Sequence, residues 1–466
     1  MKEKNHVIKN KSQLLKGKFI HMRSDAISII ESGILKAIPT EAIFEIMKLE
    51  GNKLRIKDNI FDLSQIENIY VIGAGKATIP IMEAIDGILG DKITKGFAAV
   101  KEEHPRKLAH IDLFTSSHPN PDERSVLAAE RIERILMGAK ENDLILAAIT
   151  GGASSLVVLP PEGISLTEIQ ELNDALLKSG GTIAEMNIVR RHLCKLKGGN
   201  MVRISQPAHI VTFSLNTGTQ GLPWPDMCLT DPTTFEDAID VLKRYDLWNT
   251  APEGIKNHFT KGVLSKENET VKSFDTMKQT MIYIADPSEA CKKMADRAEE
   301  LGYSPHILAV SMDGEAKDVG IVLGSIANEI VKNNSPFIPP CALITGGETT
   351  VTFCGKGPFG EGGPNQETVL GFALQLEKDF PAVCISVDSD GTDGPTAIAG
   401  GISDGETKQR IEQEGISLKE CLRKHDASSI LLKLKDEVIT GHTGTNIMNL
   451  RVVLINKKMG WKDGQN

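Results

Sequence analysis

Small hydroxyl, lysine and carboxylate side chains gather beside glycines at several well-separated points of this sequence. Gly73-Ala74-Gly75-Lys76-Ala77 closes one apolar run, Thr150-Gly151-Gly152-Ala153-Ser154-Ser155 closes a second, and Thr345-Gly346-Gly347-Glu348 closes a third. Glycines at such points let the backbone turn sharply and come close to a ligand. Amides and hydroxyls of the Thr150–Ser155 corner could form a nest for phosphate or carboxylate, although a glycine turn followed by a serine cap has the same spelling. Lys76, read as lying in the first turn of a helix, opposes the helix dipole, so its placement serves an anionic ligand rather than the fold. Arg190 and Lys197 stand seven residues apart in VRRHLCKLKGG. On a helix they share one face and could clamp an anion together.

A second group of candidates is rich in oxygen donors. Gly362-Gly363-Pro364-Asn365-Gln366-Glu367 leads into a helix, and Asn365, Gln366 and Glu367 stand at its start. Carboxylates there suit the helix dipole, and the same oxygens could serve a polar ligand or a Mg2+ shell. Asp388, Asp390, Asp393 and Asp404 fall in and after SVDSDGTDGPT. Acids beyond a strand end commonly hold Mg2+ next to phosphates, and an Asx-rich turn is the bland alternative. Thr440-Gly441-His442-Thr443-Gly444-Thr445-Asn446 is a last Gly-Thr turn, in which His442 could be an acid/base or a spectator. His118, before Pro119, reads as structural. No nucleophile elbow, HExxH pair, Walker A loop, GxGxxG fingerprint or calcium loop is present. What remains is machinery for positioning and charge neutralisation, which is what phosphoryl transfer asks of a protein.

The elements that must position these residues follow an alternating pattern. NIYVIGAGK, GFAAV, the run before Thr150 and AHIVTFSL read as strands separated by helices. One helical stretch is expected from about Arg23 to Leu49, interrupted near Pro39, and others over 167–178 and 182–197. MIYIADPSEACKKMADRAEELGYSPHILAV reads as strand-helix-strand, followed by strands ending at Gly346, in VCISVD and in RVVLINK. A hairpin is expected between Glu348 and Gly362, and the polar stretch from about Asn249 to Lys278 reads as a link between lobes. This alternation predicts an α/β protein of two domains. The first is a Rossmann-like parallel sheet with helices on both faces over 20–275, and the second is an α/β domain with a mixed sheet over 276–466.

Composition narrows the function classes. The 466 residues carry a net charge of -9, with 40% apolar and 25% charged residues, close to the globular average. No aromatic-basic interleaving points to nucleic acid, and no apolar run approaches the roughly 20 residues that span a bilayer. The seven cysteines form no CxxC pair and read as free buried thiols. A reducing cytoplasm is therefore the expected compartment.

Taken in order, GAGKA, HPNPDERS, ITGGASSL, NIVRRHLCKLKGG, DPTTFEDA, GGETTV, GGPNQE, DGTDGPT and TGTNIMNLRV resemble the glycerate 2-kinase family, whose C-terminal part is the MOFRL domain. The resemblance spans about Ser24 to Asn456. It implies ATP- and Mg2+-dependent phosphorylation of D-glycerate, or a related small hydroxy acid, in a cleft between two α/β domains. Its partners would be that acid and a nucleotide, and a homodimer is compatible with it. Lys76 is then the leading catalytic or phosphate-neutralising residue, with Asp390 and Asp393 beside it as catalytic acids and Asp390 and Glu348 as metal ligands. Gly73, Gly75, Thr150, Gly151, Gly152, Ser154, Ser155, Arg190, Lys197, Gly347, Glu348, Asn365, Gln366, Glu367, Thr445 and Asn446 would bind substrate or nucleotide. The sequence departs from the family in the loop after Ser214, in Pro364 where arginine is usual, in a longer GKGPFGEGG loop, and at His442 and Asn449. Two other readings stand beside the kinase. One is a hydroxypyruvate reductase, with Glu102 or Glu103 holding a ribose; the other is a catalytically altered metabolite-binding homologue.

Overall fold

The structure, a computed structural model, describes residues 6–101, 105, 107–180, 182–216, 226–266, 268–353 and 357–457. Its contacts divide the chain into two compact units. The N-terminal unit comprises Pro39–Leu215 and Gly221–Ile284. The C-terminal unit comprises Met1–Ile38, Asn216–Gln220 and Ala285–Asn466. The first long helix of the chain groups with the C-terminal half. That helix, Ile20–Ala37, buries Ile27, Ile30 and Ile34. Its Arg23 is fully buried and bonds Asp404 at 2.6 Å and Asp436 at 2.9 Å, which fixes the helix to that unit.

The N-terminal unit opens with the helix Pro39–Ile46 and a small antiparallel sheet of β1 (Met47–Glu50), β2 (Lys53–Ile56) and β3 (Asn59–Asp62). The expected helix to Leu49 therefore stops early. The strands alternate buried and exposed residues, a two-residue period too short-lived to stand out in the sequence. A six-stranded sheet follows, built from β4 (Ile69–Ala74), β5 (Lys95–Val100), β6 (Ile111–Thr115), β7 (Leu144–Ile149), β8 (His209–Leu215) and β9 (Gln279–Ala285). Its order is β6-β5-β4-β7-β8-β9. Strands β4 to β8 pair in parallel. Every residue of β7 is buried, as a central parallel strand covered on both faces requires. From β4 the chain runs outward through β5 and β6 and then returns to β7 on the other side. The β4/β7 boundary is thus a topological switch point, where open α/β sheets bind ligands outside the carboxyl ends.

Two expectations fail in this unit. The stretch read as an inter-lobe link contains the helix Glu253–Ser265, whose Ile255 and Phe259 join a core cluster with Leu172, Met186, Phe235 and Leu242. The helix expected over 182–197 covers only Ile183–His192.

The C-terminal unit is a mixed sheet of β10 (Ser304–Ala309), β11 (Cys341–Gly346), β12 (Ala382–Asp388), β13 (Gly400–Asp404), β14 (Glu437–Val438) and β15 (Asn449–Ile455), in the order β10-β11-β15-β12-β13-β14. β10 and β11 are parallel, and the other pairs are antiparallel. Because β15 runs against both of its neighbours, its first residues meet the carboxyl ends of β11 and β12: Gly346 pairs with Leu450 and Asp388 with Asn449. The helices Ala316–Asn333 and Pro364–Gln375 contribute Leu323, Ala327, Val369 and Phe372 to the core beside this sheet. No strand forms between Gly347 and Gly363 among the described residues, so the expected hairpin is absent there. Among the described residues no helix is long and apolar enough to cross a membrane, and the described cysteines are free and buried.

Candidate functional site

In the N-terminal unit the first two glycine corners follow adjacent strands and are locked together. The Lys76 amide donates to the Gly151 carbonyl at 2.8 Å, the Thr150 amide to Ala74 at 2.9 Å and the Ala77 amide to Thr150 Oγ1 at 3.1 Å. Gly75 has φ +132°, and a Cβ there would lie 2.1 Å from Thr150 Oγ1, so only glycine fits the junction. Gly73 is tight against Thr78 and Met82. The Gly75, Lys76 and Ala77 amides, read as free donors at a helix start, are thus engaged by the fold. Lys76 also lies outside the helix, which starts at Thr78.

Half-buried Lys76 is held against the second corner instead. Gly152 has φ +88°, and a Cβ on it would meet the His118 ring at 3.1 Å and Lys76 Cγ at 3.2 Å. Lysine, glycine corner and imidazole are therefore neighbours. His118, read as structural, also lines a cavity of about 410 Å³ with Ser154, Ser155, Asn173, Arg190 and Lys197. The amides of Gly151, Gly152 and Ser154 have no backbone acceptor among the described residues. Ser155 Oγ bonds the Gly152 carbonyl at 3.2 Å.

Arg190 and Lys197 meet in this cavity, though not by sharing a helix face. The helix ends at His192, and a turn with Gly198 and Gly199 in left-handed conformation brings Lys197 back. Arg190 Nε donates to Asn173 Oδ1 at 2.9 Å, and burial pushes its guanidinium below the usual value. Lys197 is 4% exposed, and its ammonium makes no hydrogen bond or ion pair among the described residues. Arg191, by contrast, is consumed by Asp231 at 2.7 Å, and Lys195 by Glu133 at 2.6 Å.

In the C-terminal unit the polar candidates converge on the ends of β11 and β12. Asn365 and Gln366 donate their amides to the two Asp393 oxygens at 3.1 and 2.9 Å, and Asn365 Nδ2 adds a bond of 3.0 Å. Asp393 thus accepts hydrogen bonds at both oxygens from the start of the helix Pro364–Gln375. Burial pushes its carboxyl up to about 6 against these bonds. Asn365 also joins Asn449 at 2.8 Å and Ser386 at 2.5 Å. Gln366 accepts from Ser428 at 2.6 Å. Glu367 turns away to His425 at 2.8 Å, with its carboxyl raised by burial. Thr445 Oγ1 donates to the Ala37 carbonyl at 2.6 Å, a tether to the first helix. Asp404 belongs to the Arg23 cluster rather than to the acidic loop.

Asp390 remains in place as a candidate ligand. Its Oδ1 accepts from Thr392 N and Oγ1 at 2.8 and 2.7 Å, and its Oδ2 lies 3.5 Å from Asn446 Nδ2. Glu348 is exposed at the Gly347 corner. Among the described residues no three histidine, cysteine or acidic side chains gather to hold a metal. Mg2+ needs fewer, since it takes one or two carboxylates and completes its shell with water and phosphate. Asp390, a carboxylate in the loop just beyond β12, is of the type that mode uses.

Arg451 was missed in the sequence. It is 1% exposed on β15, and it donates to the Gly347 carbonyl at 3.3 Å and to Thr349 Oγ1 at 2.8 Å. Burial pulls its guanidinium down to about 10, while Asp393, Asp388 and Glu348 pull the other way. Its one sequence signal is an arginine inside the apolar run NLRVVLI.

Comparison with known proteins is consistent across the chain. Residues 25–260 match a family described as a domain of unknown function, DUF4147, and residues 341–449 match the MOFRL family. The chain is 37% identical over 441 residues to a glycerate 2-kinase of Pyrococcus horikoshii, covering 94% of this chain and 98% of that one. It is 34% identical to a D-glycerate 2-kinase of Thermotoga maritima, covering 92% and 97%. A crystal structure of a glycerate kinase from Thermotoga maritima matches with a TM-score of 0.78 at 32% identity, covering 93% of this chain and 99% of that one.

Proposed function

The chain belongs to the glycerate 2-kinase family, and from that premise we propose that it transfers the γ-phosphoryl group of ATP, with Mg2+, to the 2-hydroxyl of D-glycerate or a closely related hydroxy acid. The observation that carries this reading is Lys76 held at the β4/β7 switch point, where it and His118 both lie against the Gly152 corner. Phosphoryl transfer spreads negative charge over the equatorial oxygens, and catalysis is mostly positioning and neutralisation. An ammonium on a corner locked by backbone bonds supplies both without reorganising.

Roles are assigned unit by unit. In the N-terminal unit, Lys76 neutralises the transferred group, and the open amides of Gly151, Gly152 and Ser154 donate to anionic oxygens. In the C-terminal unit, Asp390 holds Mg2+ or orients the acceptor hydroxyl, with Glu348 as the second carboxylate, while Asp393 fixes Asn365 and Gln366. Mg2+ supplies charge neutralisation at the phosphates when bound. Gly73 and Gly75 act through the turn they permit. Thr445 and Glu367 support the scaffold, and Asn446 supports Asp390. Cytoplasmic location accords with this chemistry. A nicotinamide reading gains no support: Thr78 occupies the third glycine position, and Glu102 and Glu103 lie outside the described residues, as does most of the altered loop after Ser214.

A coupled ADP-release assay across small hydroxy acids tests the proposal. ADP formation that depends on D-glycerate and Mg2+ is expected. Well-folded protein that releases no ADP above background with any acid contradicts it.

A further inference from the structure

We propose that the cavity between Arg190 and Lys197 is a carboxylate subsite that holds the carboxylate of the hydroxy-acid acceptor and sets specificity for it; the identity of that acceptor rests on the kinase reading above. Lys197 is the main observation. It is 4% exposed and lines the cavity, and its ammonium makes no hydrogen bond or ion pair among the described residues. An ammonium on a nearly buried side chain has lost most of its hydration, and without a bonded carboxylate nothing in the protein replaces it directly. A fold that keeps one beside a cavity is provided with an anion from outside. Asp226 senses both Lys197 and Arg191 electrostatically, but no hydrogen bond or ion pair joins it to the Lys197 ammonium among the described residues.

Arg190 is the second, independent observation. Its Nε is fixed by Asn173 at 2.9 Å, and the rest of its fork has no protein acceptor among the described residues. A guanidinium held at one nitrogen and free at the others is set to meet a planar carboxylate. The charge count favours carboxylate over polyphosphate. Arg190 and Lys197 are opposed in the lining only by Asp174, which is exposed at the rim, leaving a net +1. One monocarboxylate neutralises that charge, whereas a nucleoside triphosphate brings several times more. Ser154 on the same wall offers a hydroxyl partner, and Val158, Ile169 and Leu193 supply an apolar floor.

The test measures binding of D-glycerate to the full-length protein, with a non-hydrolysable ATP analogue present, and of the ATP analogue alone. Wild type is compared with Lys197→Met, Arg190→Gln and the conservative Lys197→Arg, and glyceramide serves as the uncharged analogue. Loss of one charge-assisted contact is expected to weaken D-glycerate roughly 10- to 100-fold, while affinity for the ATP analogue, which also reports folding, changes less than about 2-fold. Wild type should reject glyceramide by a similar factor, Lys197→Met should lose that discrimination, and Lys197→Arg should recover part of it. Variants that weaken the ATP analogue or inorganic phosphate and spare D-glycerate would instead mark a phosphate site. Unchanged glycerate binding in both charge-removing variants, equal wild-type binding of glyceramide and glycerate, or no glycerate binding at all overturns the proposal as well. If the variants fail to fold, the wild-type comparison of glycerate with glyceramide still decides. Lys197-dependent glycerate binding without ADP formation would sustain this subsite and defeat the kinase reading. Turnover with an unaltered KM for glycerate in the variants would do the reverse.

Discussion

At the residue scale, chemistry here depends on which charged groups the fold has already used. Arg191, Lys195, Asp393 and Glu367 have protein partners, whereas Arg190 and Lys197 meet in a cavity with no acidic partner bonded to them among the described residues. The sequence showed these residue types but not their partners, because pairing is made by tertiary contacts such as Arg191 with Asp231. Arg451 was illegible for a related reason: nothing in an apolar strand sequence says that its arginine is turned inward onto the Gly347 corner. Asp393 carries a pH prediction. Its carboxyl is raised to about 6 from 3.8 by burial, so the folded protein holds that proton more tightly than the unfolded chain does. The stability it contributes is full below the unfolded value and is lost as pH rises through about 6, roughly 3 kcal/mol in all. Thermal melts from pH 4 to 7 should therefore show the wild type losing stability relative to Asp393→Asn over that window. Parallel curves for the two proteins contradict the assignment.

At the scale of elements, the strands that carry the site were readable and their surroundings were not. The β4 and β7 runs are short, apolar and end in glycine, which is how buried parallel strands look in sequence. The end of the helix at His192 was missed because Val189, Leu193 and Leu196 keep a helical apolar spacing past it, and the glycine pair Gly198-Gly199 stands only further along. The lock between the corners makes a paired prediction. Gly75→Ala places a Cβ 2.1 Å from Thr150 Oγ1 and 2.4 Å from the Thr150 carbonyl oxygen at φ +132°. It should cost about 2–4 kcal/mol of stability. Gly87→Ala, inside the helix Thr78–Leu89 with nothing within 4 Å of the new Cβ, should gain about 0.5–1 kcal/mol. Denaturant midpoints of the two variants check this, and similar shifts of one sign would refute the account of the junction.

At the scale of the whole molecule, the alternating pattern conveyed two α/β domains but not that the helix Ile20–Ala37 belongs to the second of them. The reason is the buried cluster of Arg23 with Asp404 and Asp436, partners separated from it by 381 and 413 residues. Removing one member of such a buried cluster typically costs about 3–5 kcal/mol. Arg23→Leu should therefore loosen β13, β14 and the adjoining helices of the C-terminal unit while leaving residues 39–284 protected, as read by hydrogen exchange. Faster exchange confined to 39–284 would contradict the division. The central claim, that this molecule phosphorylates D-glycerate at the 2-hydroxyl with Lys76 neutralising the transferred group, is tested most directly by phosphorus NMR of the product formed from D-glycerate and Mg-ATP by wild type and by Lys76→Met. The account predicts a phosphate ester on O2 from the wild type and a rate at least about 100-fold lower from folded Lys76→Met; an ester on O3, no ester at all, or an undiminished rate in the variant would contradict it.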